Sequence, residues 1–314
     1  MKIVFWGTPE IAVPSLQFFI DKNDIEVVAV ITQPDKPAGR GHKIISSPVK
    51  LLAESLGITV YQPKLVRKDH DLINILKQLA PDAFITVAFG QILSQEILDI
   101  PRLGTINLHA SLLPKYRGPN PIQWAVINGE NITGVTTMLS DAGIDTGPML
   151  FKKEIPLDET IDSLELSEKI ALTGPQLLYD SLSGLNNRTI TPIPQNDSEA
   201  SNAPKLQKEN GNINWDESAK NIHNKIRGMK PWPSTYTHFK GNTVKITQSS
   251  LYNNEKLNNK TPGEIIGIVD NGIEVATGDG NIIINLLQPA GKKQIDAKSW
   301  YNGARIQPGD NFSS

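Results

Sequence analysis

Residues 104–148 read GTINLHASLLPKYRGPNPIQWAVINGENITGVTTMLSDAGIDTGP. The stretch opens as a strand, with Asn107 and His109 two positions apart among Thr105, Ile106 and Leu108. Successive strand side chains alternate between faces, so Asn107 and His109 project together. Ser111-Leu112-Leu113-Pro114 makes a turn, and the basic segment Lys115-Tyr116-Arg117-Gly118 follows. A helix is expected from about Pro121 to Asn128, then a strand over Gly134–Ser140. The glycine-framed acid Gly143-Ile144-Asp145-Thr146-Gly147 separates that strand from another at Met149–Ile155.

Working upstream, Lys2–Trp6, Ile25–Ile31 and Asp82–Phe89 are apolar runs of strand length, the pattern of strands buried on both faces. Helical spacing lies between them. One helix runs to about Ile20 after Gly7-Thr8-Pro9-Glu10, with Thr8 expected as its N-cap and Pro9 at its first position. Others cover Val49–Leu56 and Asp71–Leu79. Strands alternating with helices indicate an α/β domain with a mainly parallel sheet. Ligands of such sheets bind outside the carboxyl ends of the strands. Asn107 and His109 sit at such an end. So does the exit from the preceding strand, Ala88-Phe89-Gly90-Gln91-Ile92-Leu93, which is either pocket lining or an ordinary strand-to-helix turn.

One connection does not fit a tight turn. Residues 33–48, QPDKPAGRGHKIISSP, carry Pro, Gly and three cations over more than the ~12 residues usual for a structureless loop. They read either as a surface insertion or as a basic loop in which Lys36, Arg40 and Lys43 reach for phosphate.

Downstream, Thr160–Ser183 has helical spacing, and residues 186–204 are rich in Asn, Pro, Ser and Thr without periodicity, the composition of a linker. An amphipathic segment around Ser218–Met229 stops at Pro231-Trp232-Pro233. Short strands then alternate with Gly and Asn turns, which suggests a small β-barrel or sandwich. A length of 314 residues accommodates two domains. The expected division is a first domain over 1–188, a linker over 189–206 and a second domain over 207–314.

Composition narrows the chemistry. The chain has no cysteine, which excludes thiolate nucleophiles, disulfides and Cys-based zinc sites. Its five histidines show no H-x-x-x-H or H-x-H pair, so no metal is expected. The first strand–helix turn lacks G-x-G-x-x-G, which removes the main support for a nicotinamide dehydrogenase. No apolar run approaches the ~18 residues of a membrane helix, and the N-terminus does not read as a signal peptide; a cytoplasmic protein is expected. Net charge is −2, yet residues 205–260 hold ten Lys and Arg against four Asp and Glu, a local pointer to a polyanionic partner or simply a solvated basic face.

What remains is a grouping able to act on a carbonyl carbon. Imidazole exchanges protons near neutral pH. An Asn amide donates to a developing oxyanion. A carboxylate between glycines could orient the imidazole or take a proton. With no cysteine and no G-x-S-x-G elbow, the attacking group would come from a substrate, an amine or water. Each residue alone also reads as structural: a hydrogen-bonded strand-end histidine, a turn-forming aspartate.

Asn107-Leu108-His109-Ala110-Ser111-Leu112-Leu113-Pro114, with Lys115-Tyr116-Arg117-Gly118 and Asp141-x-Gly143-x-Asp145-Thr146-Gly147, resembles the signature of folate-dependent formyltransferases. The N-terminal WGTPE, the loop PDKPAGRG and the later NINWDESAKNIHNKIRGMKPWP extend the resemblance over essentially the full chain, toward the members that act on aminoacyl-tRNA. Pro119 and Asn120 depart from the small residues often found after the Arg-Gly.

The resemblance implies a Rossmann-like formyltransferase domain followed by a smaller OB-like β-barrel domain that helps hold tRNA. It implies transfer of a formyl group from 10-formyltetrahydrofolate to the amino group of initiator methionyl-tRNA. It assigns catalysis to Asn107, His109 and Asp145, and folate binding to Ser111, Leu112, Leu113 and Pro114 with the Ala88–Leu93 stretch. It assigns the tRNA acceptor end to Lys36, Arg40 and Lys43, and a monomer is the expected state. The rivals are a nucleotide-sugar formyltransferase with the same three residues, a formyl-folate hydrolase, and a non-catalytic RNA-binding protein using Trp215, Trp232, Tyr236 or Phe239, although Trp232 between two prolines reads as packing.

Overall fold

The computed structural model describes residues 1–38, 43–252 and 260–313, in two compact units. The first consists of Met1–Pro121, Ile132–Pro156 and Ser167–Pro204. In chain order its elements are β1 (Lys2–Gly7), α1 (Val13–Ile20), β2 (Glu26–Ile31), β3 (Lys36–Ala38), β4 (Lys43–Ile45), α2 (Pro48–Ser55), β5 (Val60–Tyr61), α3 (His70–Leu79), β6 (Ala83–Val87), α4 (Gln95–Leu98) and β7 (Thr105–His109). Then follow α5 (Pro121–Ile127), most of which belongs to the second unit, β8 (Ile132–Leu139), β9 (Met149–Pro156) and α6 (Ser163–Asn186).

The sheet order is β5-β2-β1-β6-β7-β8-β9. It is parallel from β5 to β7, and antiparallel where β8 and β9 join. This is the expected Rossmann-like, mainly parallel architecture. The chain winds outward from β1 to β5, then returns to β6 on the other side of β1, so the topological switch lies between β1 and β6. β6 is buried at every position, as expected of a run that is apolar but for Thr86. Trp6 meets Phe84 and Phe89 edge-on at 5.2 and 5.1 Å, and Leu72 and Leu76 of α3 complete that layer.

Local chemistry sets several boundaries. Ser47 caps α2 by accepting from the Lys50 N–H, and Asp69 caps α3 by accepting from Leu72. Thr8 does not cap a helix, contrary to expectation. Its hydroxyl donates to the Phe89 carbonyl at 3.1 Å and accepts from the Gln33 N–H at 3.2 Å, tying together three strand exits. The 33–48 segment is not wholly irregular: β3 and β4 pair antiparallel. The segment is fastened at its base, where Asp35 accepts from Lys50 at 2.7 Å and from Gln62 at 2.8 Å. The Lys50 hydrogen bond holds the Asp35 carboxyl below its ordinary pKa.

The stretch 189–204, whose composition reads as a linker, lies along the first unit. Ile193 and Met149 exchange two backbone bonds of 2.8 Å. The Arg117 N–H donates to Ser201, and the Ala203 N–H donates to Arg117, at 2.8 and 2.7 Å. Backbone pairing of this kind needs no side-chain periodicity, which is why composition alone suggests a linker.

The second unit joins Ile122–Asn131 and Leu157–Leu166 to Lys205–Ser314. It carries α7 (Ala219–Gly228), β10 (Thr235–Phe239), β11 (Asn242–Leu251), β12 (Ile265–Val269), β13 (Gly272–Ala276), β14 (Asn281–Pro289), β15 (Ile295–Asp296), α8 (Ala297–Gly303) and β16 (Phe312–Ser313). The strands pair antiparallel in the order β12-β13-β14-β11-β10-β16, with β15 against β14. The two edges meet: the Ile265 N–H donates to Asp310 and the Phe312 N–H to Gly263, at 2.8 and 2.9 Å. The curled sheet is the expected OB-like barrel.

Its core stacks Trp215 and Trp300 on Phe312, with Phe239 edge-on to Trp300. Trp215 and Phe239 are therefore not available to nucleic-acid bases. Trp232, which reads as packing, is 54% exposed. Beside the barrel, α7 buries His223 and Arg227 against the 157–166 segment. His223 Nε2 lies 3.1 Å from the Glu159 carbonyl and Nδ1 lies 2.9 Å from Ser249 Oγ. The Arg227 guanidinium donates to the carbonyls of Asp158 and Ile161 and to Asn224 Oδ1.

Candidate active site

Register between neighbouring strands builds the centre of the site. β6 and β7 pair so that Thr86 stands beside Asn107. The Thr86 hydroxyl donates to Asn107 Oδ1 at 2.8 Å, which orients the amide and leaves Nδ2 as its outward donor. Two residues on, His109 ends the strand and is 5% exposed. Its Nε2 lies 2.9 Å from the Tyr116 carbonyl, an oxygen that can only accept, so Nε2 carries a proton. Its Nδ1 lies 3.5 Å from Asp145 Oδ1. Both ring nitrogens thus face oxygen acceptors, one at hydrogen-bond distance and one beyond it.

Asp145 comes from the loop between β8 and β9. Its other oxygen, Oδ2, accepts the Gly118 N–H at 2.8 Å. Its backbone φ is +54°, in the left-handed region that L residues occupy at a cost of roughly 1–3 kcal/mol. The loop supplies compensating bonds. Asp141 accepts from the Gly143 N–H and from the Thr146 hydroxyl at 3.1 and 2.8 Å. Gly147 fits where nothing larger would, since an added Cβ would stand 1.8 Å from the Leu139 carbonyl oxygen. The sequence places Asn107, His109 and Asp145 as candidates, and the fold brings His109 and Asp145 together beside Asn107, its strand neighbour two residues back.

The residues expected at the folate site divide by environment. Ser111 is buried; its hydroxyl donates to the Lys115 carbonyl at 2.6 Å, while its own carbonyl accepts from Thr136 at 2.7 Å. Leu113 is fully buried with Met138 and Met149, Pro114 is buried, and Leu112 is half-buried. In the other stretch Phe89 belongs to the core against Trp6. Leu93 packs on the same core. Gln91 accepts from the Val66 N–H at 2.8 Å and donates to the Pro63 carbonyl at 3.0 Å, fastening a neighbouring loop. Ala88 and Gly90, both at positive φ, and Ile92, 57% exposed, are the members that face outward.

Of the expected tRNA-binding residues, Lys36 is exposed on β3, Lys43 lies on β4, and Arg40 falls outside the described residues. Among the described residues no group of three or more His, Asp or Glu could hold a metal ion, and no helix is long and apolar enough to cross a membrane.

Two participants escape a sequence reading. Thr86 is one hydroxyl in an apolar strand, and only the β6–β7 register gives it meaning. Gln195 lies in the apparent linker, yet its side chain reaches Arg117 and the Asp145 loop.

Comparison with known proteins agrees with this geometry. Residues 1–182 match the family described as Formyl transferase, and residues 205–305 match the Formyl transferase, C-terminal domain. The chain belongs to the formyl transferase family. A methionyl-tRNA formyltransferase of Pelobacter propionicus is 46% identical over 308 residues, covering 98% of this chain and 95% of that protein. Among solved structures of this fold, an N-formyltransferase from Helicobacter canadensis, in complex with folinic acid and dTDP-3-aminofucose, superposes with a TM-score of 0.68 at 23% identity, covering 92% of this chain and 99% of that one. HypX from Aquifex aeolicus, in complex with tetrahydrofolic acid, gives 0.65 at 16% identity; it covers 99% of this chain, which spans about half (48%) of that longer protein. Both share the formyltransferase architecture of the present chain.

Proposed function

We propose that this formyltransferase moves the formyl group of 10-formyltetrahydrofolate to the amino group of methionine on initiator methionyl-tRNA, as a monomer in the cytoplasm. The observation that carries the reading is the Asn107–His109–Asp145 grouping at the exit of β7, in a chain 46% identical to a methionyl-tRNA formyltransferase over 98% of its length. Residues 1–188 would hold folate and do the chemistry, and residues 207–314 would help hold tRNA. Ser111–Pro114 and the Ala88–Leu93 stretch would border the folate. Lys36, Arg40 and Lys43 would meet the tRNA acceptor end.

In this reaction the neutral methionyl amine attacks the formyl carbon and forms a C–N bond. The carbonyl oxygen becomes an oxyanion. Asn107 Nδ2 donates to it, its amide already turned by Thr86. His109 Nε2 is engaged by the Tyr116 carbonyl, which leaves Nδ1 as the nitrogen that works. The 3.5 Å to Asp145 exceeds an ordinary hydrogen bond, so the Nδ1 proton can serve the oxyanion. Asp145 takes the proton that the amine loses, directly or through water. The oxyanion then collapses to a carbonyl, the bond to folate N10 breaks, and His109 or a water returns a proton to N10, giving N-formylmethionyl-tRNA and tetrahydrofolate.

One assay tests the reading. The purified protein is given 10-formyltetrahydrofolate with methionyl-initiator tRNA, and separately with a dTDP-amino sugar. Formylated methionyl-tRNA is the expected product; formylation of the sugar alone would overturn the proposal.

A further inference from the structure

We infer that Gln195 is a positioning residue that sets Asp145 for proton transfer. The inference rests on the reading just given.

The Gln195 amide is used at both ends. Its Nε2 donates to the carbonyls of Asp145 and Gly147, each at 2.8 Å. Its Oε1 accepts from Arg117 Nε at 2.9 Å. Carbonyls only accept and a guanidinium only donates, so the amide has one permitted orientation. The two carbonyls are that of Asp145 itself and that of Gly147 two residues on; Asp145 sits at φ +54°, a left-handed conformation unfavourable for an L residue. Gln195 clamps the chain leaving that strained residue at two successive points with one group.

The other end of the amide reaches the opposite wall of the same carboxylate. Arg117 precedes Gly118, whose N–H donates to Asp145 Oδ2 at 2.8 Å. Arg117 follows Tyr116, whose carbonyl takes His109 Nε2. Gly118 has to be glycine here: its φ is +119°, and an added Cβ would stand 2.8 Å from the Ala203 carbonyl oxygen. Gln195 therefore ties the loop bearing the acid to the segment that bonds both the acid and the imidazole. It fixes the separation of His109 and Asp145 without touching either side chain. Its own backbone is held nearby by the Ile193–Met149 pairing.

The discriminating variant is Gln195→Glu. It keeps an acceptor for Arg117 but puts a carboxylate against two carbonyls, so it breaks only the loop clamp. Gln195→Met, of similar length and uncharged, is the second variant. A displacement near 1 Å in such a pair costs roughly 10²-fold. The expected result for both is a kcat lower by about that factor, with KM for formyl-folate and for methionyl-tRNA within about twofold. Backbone hydrogen exchange in peptides covering 141–148 should rise in both variants, whatever reaction the protein catalyses. A kcat within threefold of wild type, a change in KM alone, or unchanged exchange in a folded variant overturns the inference. An inactive wild type with exchange that still depends on Gln195 would overturn the proposed reaction instead, and leave the clamp standing.

Discussion

Nδ1 of His109 stands 3.5 Å from Oδ1 of Asp145, while the other oxygen of that carboxylate is fixed at 2.8 Å by the Gly118 N–H. The acid is thus anchored by backbone and only loosely engaged by the imidazole. A pair locked together by a short bond would have no donor left for a substrate oxygen. In the proposed reaction this spacing leaves Nδ1 open to a substrate oxygen.

Asn107→Ala removes the amide donor and His109→Ala removes the imidazole. Loss of one oxyanion donor costs about 2.7–4 kcal/mol, or roughly 10²–10³ in rate. Each variant should fall that far or further in kcat, measured as formyl-methionyl-tRNA formed per enzyme. Affinity for a formyl-folate analogue, followed by fluorescence titration, should stay within a few-fold of wild type.

Thr86→Val keeps the shape of the β6 side chain and deletes the hydroxyl that orients Asn107. A neutral hydrogen bond contributes about 1 kcal/mol, so kcat should drop roughly fivefold with little change in KM. A loss as large as that of Asn107→Ala would mean that Thr86 does more than turn the amide.

Lys36→Ala and Arg40→Ala each remove one cation from the 33–48 segment. If these residues neutralise phosphates, KM for tRNA rises while KM for formyl-folate does not. The salt dependence of tRNA affinity should weaken by about one unit of log–log slope for each cation removed, so the defect is largest at low salt and narrows as salt increases. A defect independent of salt would point to a role other than phosphate binding.

Burial holds the His223 imidazole below its ordinary pKa, against the Glu159 carbonyl, which acts the other way; the charge of Arg227 adds to the lowering and Lys230 does too. Asp158, Asp162 and Glu165 face the neighbouring Arg227. A histidine with a lowered folded-state pKa binds fewer protons folded than unfolded just below pH ~6.5. Its contribution is therefore complete above that pH and is lost as pH falls toward the folded value, with a slope of at most about 1.4 kcal/mol per unit. Denaturant unfolding followed by tryptophan fluorescence, repeated from pH 8 to 5, should show this decline. His223→Gln should flatten it.

Much of the fold could be read from residue type. The run Ala83–Val87, apolar but for Thr86, announces a strand covered on both faces, and the parity of Asn107 and His109 announces a shared direction. The glycines around Asp145 mark a backbone that only a special loop accepts. What escapes a linear reading is register and unperiodic packing. Thr86 acquires its partner because β6 meets β7 at one offset and not the next. Gln195 lies among Pro and Asn residues that advertise a tether, whereas backbone pairing lays that stretch along the first unit. At the exit of β6, position alone does not show that Phe89 and Leu93 pack on the core or that Gln91 fastens a neighbouring loop. Trp232 errs in the other direction, since flanking prolines suggest a buried ring and the ring is largely open to solvent.

The barrel unit is assembled from three stretches of chain, with Ile122–Asn131 and Leu157–Leu166 added to Lys205–Ser314. A gene fragment beginning at residue 205 would encode the strands and α7 but omit the carbonyls of Asp158, Glu159 and Ile161 that the Arg227 and His223 side chains occupy. Two inward-facing polar side chains would then lose partners at once, keeping only Ser249 and Asn224 among the described residues, and each buried group left unsatisfied costs about 1–3 kcal/mol. Heritable module and folding unit do not coincide in this chain. Recombination that exchanges the tail between relatives can succeed only if the incoming α7 still recognises two short pieces of the resident first half.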